Sequence, residues 1–415
     1  MRPAIDGRRR ARRAMIYLDN HATTRLDPRV LEAMLPWLTD RYGNAGSATH
    51  EMGREARAAV DAARESFAAA IGATAREIVF TSGATESANL AILGTAARVR
   101  ATADTGSRPH VVTIATEHHA VLDPVEHLER QGVAVTRLGV VRQGETGVPG
   151  RIRLDELEAA LRPETCLVSV LLANNEIGVV QDVAAIAEIT QAHGAALHVD
   201  CAQALGRMPV DVDALGADLA SFSAHKFHGP KGVGALYVRR RSRAVRVEPL
   251  VFGGGQERGM RSGTLDVPGI VGLAEAARLA VAGLADEVPR MWALRDRLWE
   301  ALARGIPGLA LNGPALDAQD AAGRPLRLVN NLNVQVPGVD GQTLLATLAR
   351  DELAVSSGSA CSSEHPRPSH VLLALGLDDD QARASLRFGI SRFTTPEEVD
   401  TAAARIAAGV ARLRD

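Results

Sequence analysis

Asp218-Leu-Ala-Ser-Phe-Ser-Ala-His-Lys226-Phe-His-Gly-Pro-Lys231-Gly-Val-Gly-Ala-Leu-Tyr-Val238 sets two short apolar runs, Leu219–Phe222 and Val233–Val238, on either side of a polar, glycine-bearing turn. Runs of that length bounded by Gly and Pro read as buried strands. Outward from this stretch, strand-like runs recur at Glu77–Thr81, Val111–Ala115, Val133–Thr136, Leu167–Leu172 and Ala196–Val199. Helical spacing lies between several of them. Ala56, Val60, Ala63 and Phe67 share one face of Gly53–Ala70, and Glu86–Val99 and Asp182–Ala192 are helical too. The alternation predicts an α/β fold with a mostly parallel sheet and helices on both faces, in which ligands sit beyond the carboxyl ends of the strands.

A Gly-rich stretch, Gly253–Thr264, closes this region. After it the pattern predicts one long helix over Val267–Arg304, a strand at Leu328–Val336, and helices at Gly341–Arg350, Ser369–Leu377 and Pro396–Arg412. These form a smaller α/β domain. The expected division is a large domain at 29–270 and a small one from 15–28 and 271–415, the latter carrying a polar cysteine loop at about 356–368. Residues 1–14 hold six arginines and one aspartate and read as a basic, disordered leader.

The 415 residues are 46% hydrophobic, enough for sizeable cores, and carry a net charge of −2. With only thirteen aromatic residues and no basic surplus, nucleic acid is not an expected partner. The longest clean apolar stretches, such as Cys166–Ala173, are strand length, so no membrane span is expected. Three cysteines, Cys166, Cys201 and Cys361, with no CxxC, suggest neither a disulfide framework nor a zinc site. A reducing, cytoplasmic location fits these counts.

Of 47 basic residues only two are lysine, Lys226 and Lys231. Arginine keeps its proton and cannot serve as a neutral amine nucleophile, so surviving lysines point to amine chemistry. Lys226 directly follows a strand end, whereas Lys231 sits in a Gly-Pro-Lys-Gly turn, and Lys226 is preferred. Thr81-Ser-Gly-Ala-Thr-Glu-Ser87 follows a strand and opens a helix, a setting in which small residues, hydroxyls and free N–H groups receive an anion. Asp200 ends a very apolar strand, placed to pair with a cationic ring nitrogen. An ordinary capped turn and a capping aspartate would look the same one at a time. Together, a phosphate turn, a strand-end Asp and a rare Lys are the parts that a pyridoxal 5′-phosphate (PLP) enzyme needs. Cys361 stands in Ser356-Ser-Gly-Ser-Ala-Cys-Ser-Ser-Glu-His-Pro-Arg-Pro368, a polar setting unlike that of a core cysteine.

Seven motifs carry a resemblance: Tyr17-Leu-Asp-Asn-His-Ala-Thr-Thr24, Phe80–Ser87, Asn174-Asn-Glu-Ile-Gly178, Ser223–Gly232, Gly259-Met-Arg-Ser-Gly-Thr264, Ser357-Gly-Ser-Ala-Cys361 and Arg387-Phe-Gly-Ile-Ser-Arg-Phe-Thr-Thr395. From about Met15 to the C-terminus the chain resembles the cysteine desulfurases of the NifS/IscS type, class-V aminotransferase-like enzymes of PLP fold type I. The resemblance implies a seven-stranded-type sheet in the large domain and PLP held by Lys226. His118 would stack on the ring and shuttle protons, Asp200 would meet the pyridine nitrogen and Gln203 the ring hydroxyl, and Asn175 would touch the cofactor and the substrate. Ala84, Thr85, Ser223 and His225 would bind the phosphate, with Thr264 reaching in from the second subunit of a homodimer. Arg387 would clamp the substrate carboxylate, beside Asn20 and His21.

In the implied reaction Lys226 removes the α-proton of L-cysteine and the Cys361 thiolate attacks its sulfur. L-alanine leaves, and a persulfide on Cys361 passes to acceptor proteins such as an iron–sulfur scaffold. The alternative is a selenocysteine lyase or another class-V PLP enzyme, and a third reading is a sulfur-relay scaffold that has lost its chemistry. The sequence departs from the family after Cys361, where relatives read closer to Ser-Leu-Glu-Pro, and over the polar stretch Arg100–His110, which resembles an insertion. Cys201 stands where a small apolar residue is common, and the basic leader has no counterpart.

Overall fold

A computed structural model of the chain describes residues 15–102, 108–357 and 367–415. The expected leader at 1–14 and the Cys361 segment lie outside the described residues. The strands are β1 (Ile16–Tyr17), β2 (Ile78–Thr81), β3 (His110–Ile114), β4 (Ala134–Leu138), β5 (Thr165–Leu171), β6 (Ala196–Asp200), β7 (Leu219–Ser223), β8 (Gly234–Val238), β9 (Ala310–Leu311), β10 (Asn331–Gln335), β11 (Leu353–Ala354) and β12 (Ser385–Gly389). The helices are α1 (Pro28–Leu38), α2 (Glu51–Ala70), α3 (Ala84–Thr102), α4 (His119–Arg130), α5 (Leu154–Ala160), α6 (Val183–Ala192), α7 (Val267–Ala282), α8 (Leu284–Gly305), α9 (Gly341–Arg350), α10 (His370–Ala374), α11 (Asp379–Arg383) and α12 (Pro396–Arg414).

The central sheet has seven strands in the order β2-β8-β7-β6-β5-β3-β4. β7, β6, β5, β3 and β4 run parallel, and β8 is antiparallel to both of its neighbours. The expected α/β architecture is therefore the observed one. Apart from the edge strand β4, its strands are buried on both faces, which is why they read as continuous apolar runs rather than as alternation. The carboxyl ends of β2, β5, β6 and β7 all open on one side, and β2, β6 and β7 end on the polar residues Thr81, Asp200 and Ser223.

One expectation is corrected by packing. The long helix predicted over Val267–Arg304 breaks at Gly283 into α7 and α8, bent by 75°. Periodicity reports that a face is buried, not against what. α7 buries its side chains against α1 and α2 in the core of the central sheet, whereas α8 packs on α12 in a separate core with β10 and β12. Ile16 and Leu18 join that second core. Among the described residues no single helix is long and apolar enough to cross a membrane.

The Gly-rich stretch is pinned by a buried ion pair. Arg64 meets Glu257 through both guanidinium amines at 2.7 Å, and the same carboxylate accepts the Phe80 N–H at 2.8 Å. Removing one partner of such a pair strands a charge in a dry interior. Glu257→Ala is expected to lower the unfolding free energy by about 3–5 kcal/mol in a urea titration, and a loss of under about 1 kcal/mol would contradict this account.

Candidate active site

β2 ends at Thr81, and Ser82-Gly83 turns the chain into α3. Gly83 has φ +153° and Gly234 lies so close that a Cβ on it would stand 2.6 Å from Gly83 Cα and 2.3 Å from the Phe222 carbonyl. Only glycines allow this approach. The first N–H groups of α3 have no carbonyl partner within the helix, so they are available to an anion. Glu86 takes the Ser82 N–H at 2.7 Å and is paired with Arg261 at 2.8 Å, which holds its carboxyl below the ordinary range against the opposing effect of burial.

Asp200 is the last residue of β6, and its Oδ1 accepts the Ala202 N–H at 2.9 Å. Burial raises its pKa, and the nearby Lys226 ammonium opposes that rise. Lys226 closes a short 3₁₀ turn directly after β7. Its Nζ donates to the carbonyls of His21 and Ala22 at 2.6 and 2.8 Å. Burial, then the Arg207 and Arg387 guanidiniums, bring it down to about 8 although Asp200 and Asp19 pull the other way. About a fifth of this amine is thus neutral near physiological pH, against roughly a thousandth of an ordinary lysine.

His118 caps α4, its Nδ1 accepting the Ala120 N–H at 3.0 Å, so its ring proton belongs on Nε2. Burial and the Lys226 charge bring it down to about 4, leaving a neutral imidazole. His225, joined to Thr23 Oγ1 at 3.1 Å, is likewise brought to about 4 by burial, Lys226, Lys231 and Arg207.

Nine of the ten expected cofactor residues line one cavity of about 380 Å³: Ala84, Thr85, His118, Asn175, Asp200, Gln203, Ser223, His225 and Lys226. Thr264 does not. It is exposed and away from the cavity wall. Asn20, His21 and Arg387 stand behind the wall. Asn20 donates to the Gly389 carbonyl at 2.7 Å, and His21 Nδ1 meets Gln203 Oε1 at 3.2 Å. Arg387 holds Asp19 at 2.9 Å and the Asn175 carbonyl at 3.2 Å, and its Nε is buried without a partner. Cys361 is not among the described residues.

Two contributors escaped the sequence reading. Arg207 bonds the Gln203 side chain and the backbone carbonyls of Gln203, Asn20 and Lys226, which ties Lys226 to the cavity floor. As one of 45 arginines it carried no local signal. Glu117, next to His118, is fully buried, with Oε1 accepting the Leu171 N–H at 2.6 Å and Oε2 without a partner. Burial and the charge on Asp200 push its carboxyl well above the usual range.

The wall fits PLP. A glycine-built cradle at a helix N-terminus suits a phosphate, a buried carboxylate suits a pyridine N–H, and a desolvated lysine suits an aldehyde carbon.

Residues 16–401 match the family described as Aminotransferase class-V. The chain is 50% identical over 402 residues to the cysteine desulfurase IscS of Anaeromyxobacter dehalogenans, covering 96% of this chain and 93% of that protein. It is 49% identical over 402 residues to the cysteine desulfurase IscS of Escherichia coli K12, covering 96% and 94%. Among solved structures, a NifS-like protein superposes with a TM-score of 0.84 at 37% identity, over 96% of this chain and 100% of that one. DndA from Streptomyces lividans follows at 0.72 and 43% identity, over 89% and 97%. A nearly full-length match to these proteins, on a cavity that gathers the amine, the carboxylate and the anion cradle, means that the chain belongs to the class-V aminotransferase family and, within it, to the cysteine desulfurases.

Proposed function

We propose that the protein converts L-cysteine and a protein thiol into L-alanine and a protein persulfide, with PLP bound in the cavity. The observation that carries this reading is the Lys226 amine, desolvated to about 8 on the same wall as Asp200 and the α3 cradle. Bound there, PLP supplies an electron sink for the substrate α-carbon. Lys226 holds the cofactor and exchanges the α-proton at Nζ, Asp200 keeps a cation opposite its carboxylate, and neutral His118 carries a proton on Nε2. Ser223, His225, Ala84 and Thr85 take the phosphate, and Gln203 and Asn175 set the ring. Arg387 orients the substrate carboxylate with its planar fork, beside Asn20 and His21.

Cys361 is the proposed sulfur acceptor: its thiolate attacks the cysteine Sγ, the Cβ–Sγ bond breaks, and the β-carbon takes a proton as alanine leaves. The other two thiols support this choice by their burial. Cys166 is pushed up to about 11 and Cys201 well above the ordinary range, so neither supplies thiolate at neutral pH.

The same proposal covers a homodimer in which Thr264 completes the partner's phosphate site, which its exposure supports. Exposed Leu35, Leu38, Tyr42 and Phe252 offer apolar surface for such contact. It also covers a cytoplasmic location and delivery of sulfur to an iron–sulfur scaffold protein. The two-domain division at 29–270 and 15–28 with 271–415 draws support from the separate core of β10, β12, α8 and α12, while the packing of α7 argues for a line nearer Gly283.

The test is the yield of alanine and sulfide from L-cysteine with a thiol reductant. Equal amounts of the two are expected. No release from a PLP-loaded protein that acts instead on selenocysteine would replace this reading by the lyase. The amine also sets a pH dependence: a lysine at about 8 becomes neutral over a lower range than the ordinary 10.5, so PLP uptake by the cofactor-free protein is expected to rise through pH 8 and level off soon above it. Uptake still climbing at about pH 10 would contradict the depressed amine.

A further inference from the structure

Four charged side chains stand on the cavity wall: Glu86, Asp200, Lys226 and Lys231. Lys226 is held by two carbonyls, Asp200 takes the Ala202 N–H, and Glu86 is occupied by Arg261. Lys231 is different, because its ammonium makes no hydrogen bond or ion pair among the described residues. Strand register explains its position. β8 pairs Gly234 with Thr81 of β2 and with Ser223 of β7, so the turn just before Gly234 lies beside Ser82-Gly83 and the end of β7. The Lys231 charge also acts on His225, which shares that end.

Apart from Lys231, this end of the cavity has no uncommitted cationic side chain among the described residues. His118 and His225 are neutral, Arg261 is committed to Glu86, and Glu86 itself brings an ionised carboxylate to the wall. The α3 N-terminus contributes only partial charge. A phosphate dianion entering there needs a mobile positive charge that nothing else on the wall supplies. The composition points the same way: the chain uses arginine at 45 of 47 basic positions, and its two lysines both face this cavity. An ammonium on a flexible stem is a compact charge that can meet a phosphate oxygen without the in-plane pair of acceptors a guanidinium prefers.

We propose that Lys231 is a further cofactor-binding residue, whose ammonium pairs with the phosphate of PLP at the Ser82-Gly83 end of the cavity. The assignment rests on the cofactor reading given above. Its test separates the phosphate from the rest of the cofactor. Cofactor-free wild type and Lys231→Gln are titrated with PLP and with pyridoxal, which lacks the phosphate, following visible absorbance. Lys231→Gln is expected to weaken PLP about tenfold, the scale of one charge-assisted hydrogen bond, and to leave pyridoxal within about twofold. The salt dependence of PLP binding should also become shallower in the variant. Unchanged PLP affinity, or an equal loss for both compounds, would overturn the assignment. A wild type that takes up neither compound would instead overturn the cofactor reading, and this assignment with it.

Discussion

Lys226→Ala is expected to yield a folded protein that releases neither alanine nor sulfide from L-cysteine, with turnover down by at least about a thousandfold. The visible absorbance of lysine-bound cofactor should vanish with it. The expectation follows from where Nζ sits: anchored to two carbonyls, desolvated, and flanked by the Arg207 and Arg387 guanidiniums that keep its proton loosely held. Lys226→Arg should fail as completely, because a guanidinium does not supply a neutral amine. The fold should survive either change. The alanine variant leaves two carbonyls short of a donor, a cost of about 1–3 kcal/mol, and takes no side chain out of either hydrophobic core. Absorbance and turnover retained in Lys226→Ala but lost in Lys231→Ala would move the cofactor-bearing amine to Lys231.

Cys361→Ser is expected to separate the cofactor from the sulfur. PLP should bind as in wild type, since none of the nine cavity residues changes, while persulfide and sustained alanine formation fall by at least about a thousandfold. The anchors on either side of that segment argue for its relevance to the site. Upstream, the Ser356 N–H donates to the Arg387 carbonyl at 3.3 Å. Downstream, Ser369 Oγ donates to Glu176 at 2.5 Å and the His370 ring meets the Glu117 carbonyl at 2.8 Å. The upstream flank is thus tied to Arg387, whose guanidinium holds the Asn175 carbonyl, and the downstream flank to Glu176 and Glu117, the neighbours of Asn175 and His118. Cys201→Ala and Cys166→Ala serve as controls and should stay active, because both thiols are held protonated by burial. Persulfide on mass spectrometry of Cys361→Ser at wild-type yield would reassign the acceptor.

Much of the site is legible in the sequence alone. Asp200 and Lys226 were legible because each follows an apolar strand, and a strand end in an α/β sheet is where a polar residue can face a ligand. Ser82 and Gly83 were readable as a turn of small residues opening a helix. Arg207 was not, because its role depends on carbonyls of Asn20 and Lys226, the first of them 187 residues away in sequence. Glu117 stands next to His118 in the sequence, yet only its burial beside Asp200 singles it out. The break at Gly283 was invisible for a related reason: α7 and α8 each carry one apolar face, and two faces in series read as one until each finds a different core.

The sequence by itself determined the alternation of strands and helices around the central sheet and singled out the Ser82-Gly83 turn, Asp200 and Lys226, because hydrophobic period and side-chain chemistry are local properties. Tertiary structure alone decided that β8 runs against its neighbours and so carries Lys231 to the Gly83 cradle, that Thr264 stays off the cavity wall, and that His118 and His225 are neutral. Strand direction, desolvation and the company of distant charges arise only when segments far apart in the chain share one interior.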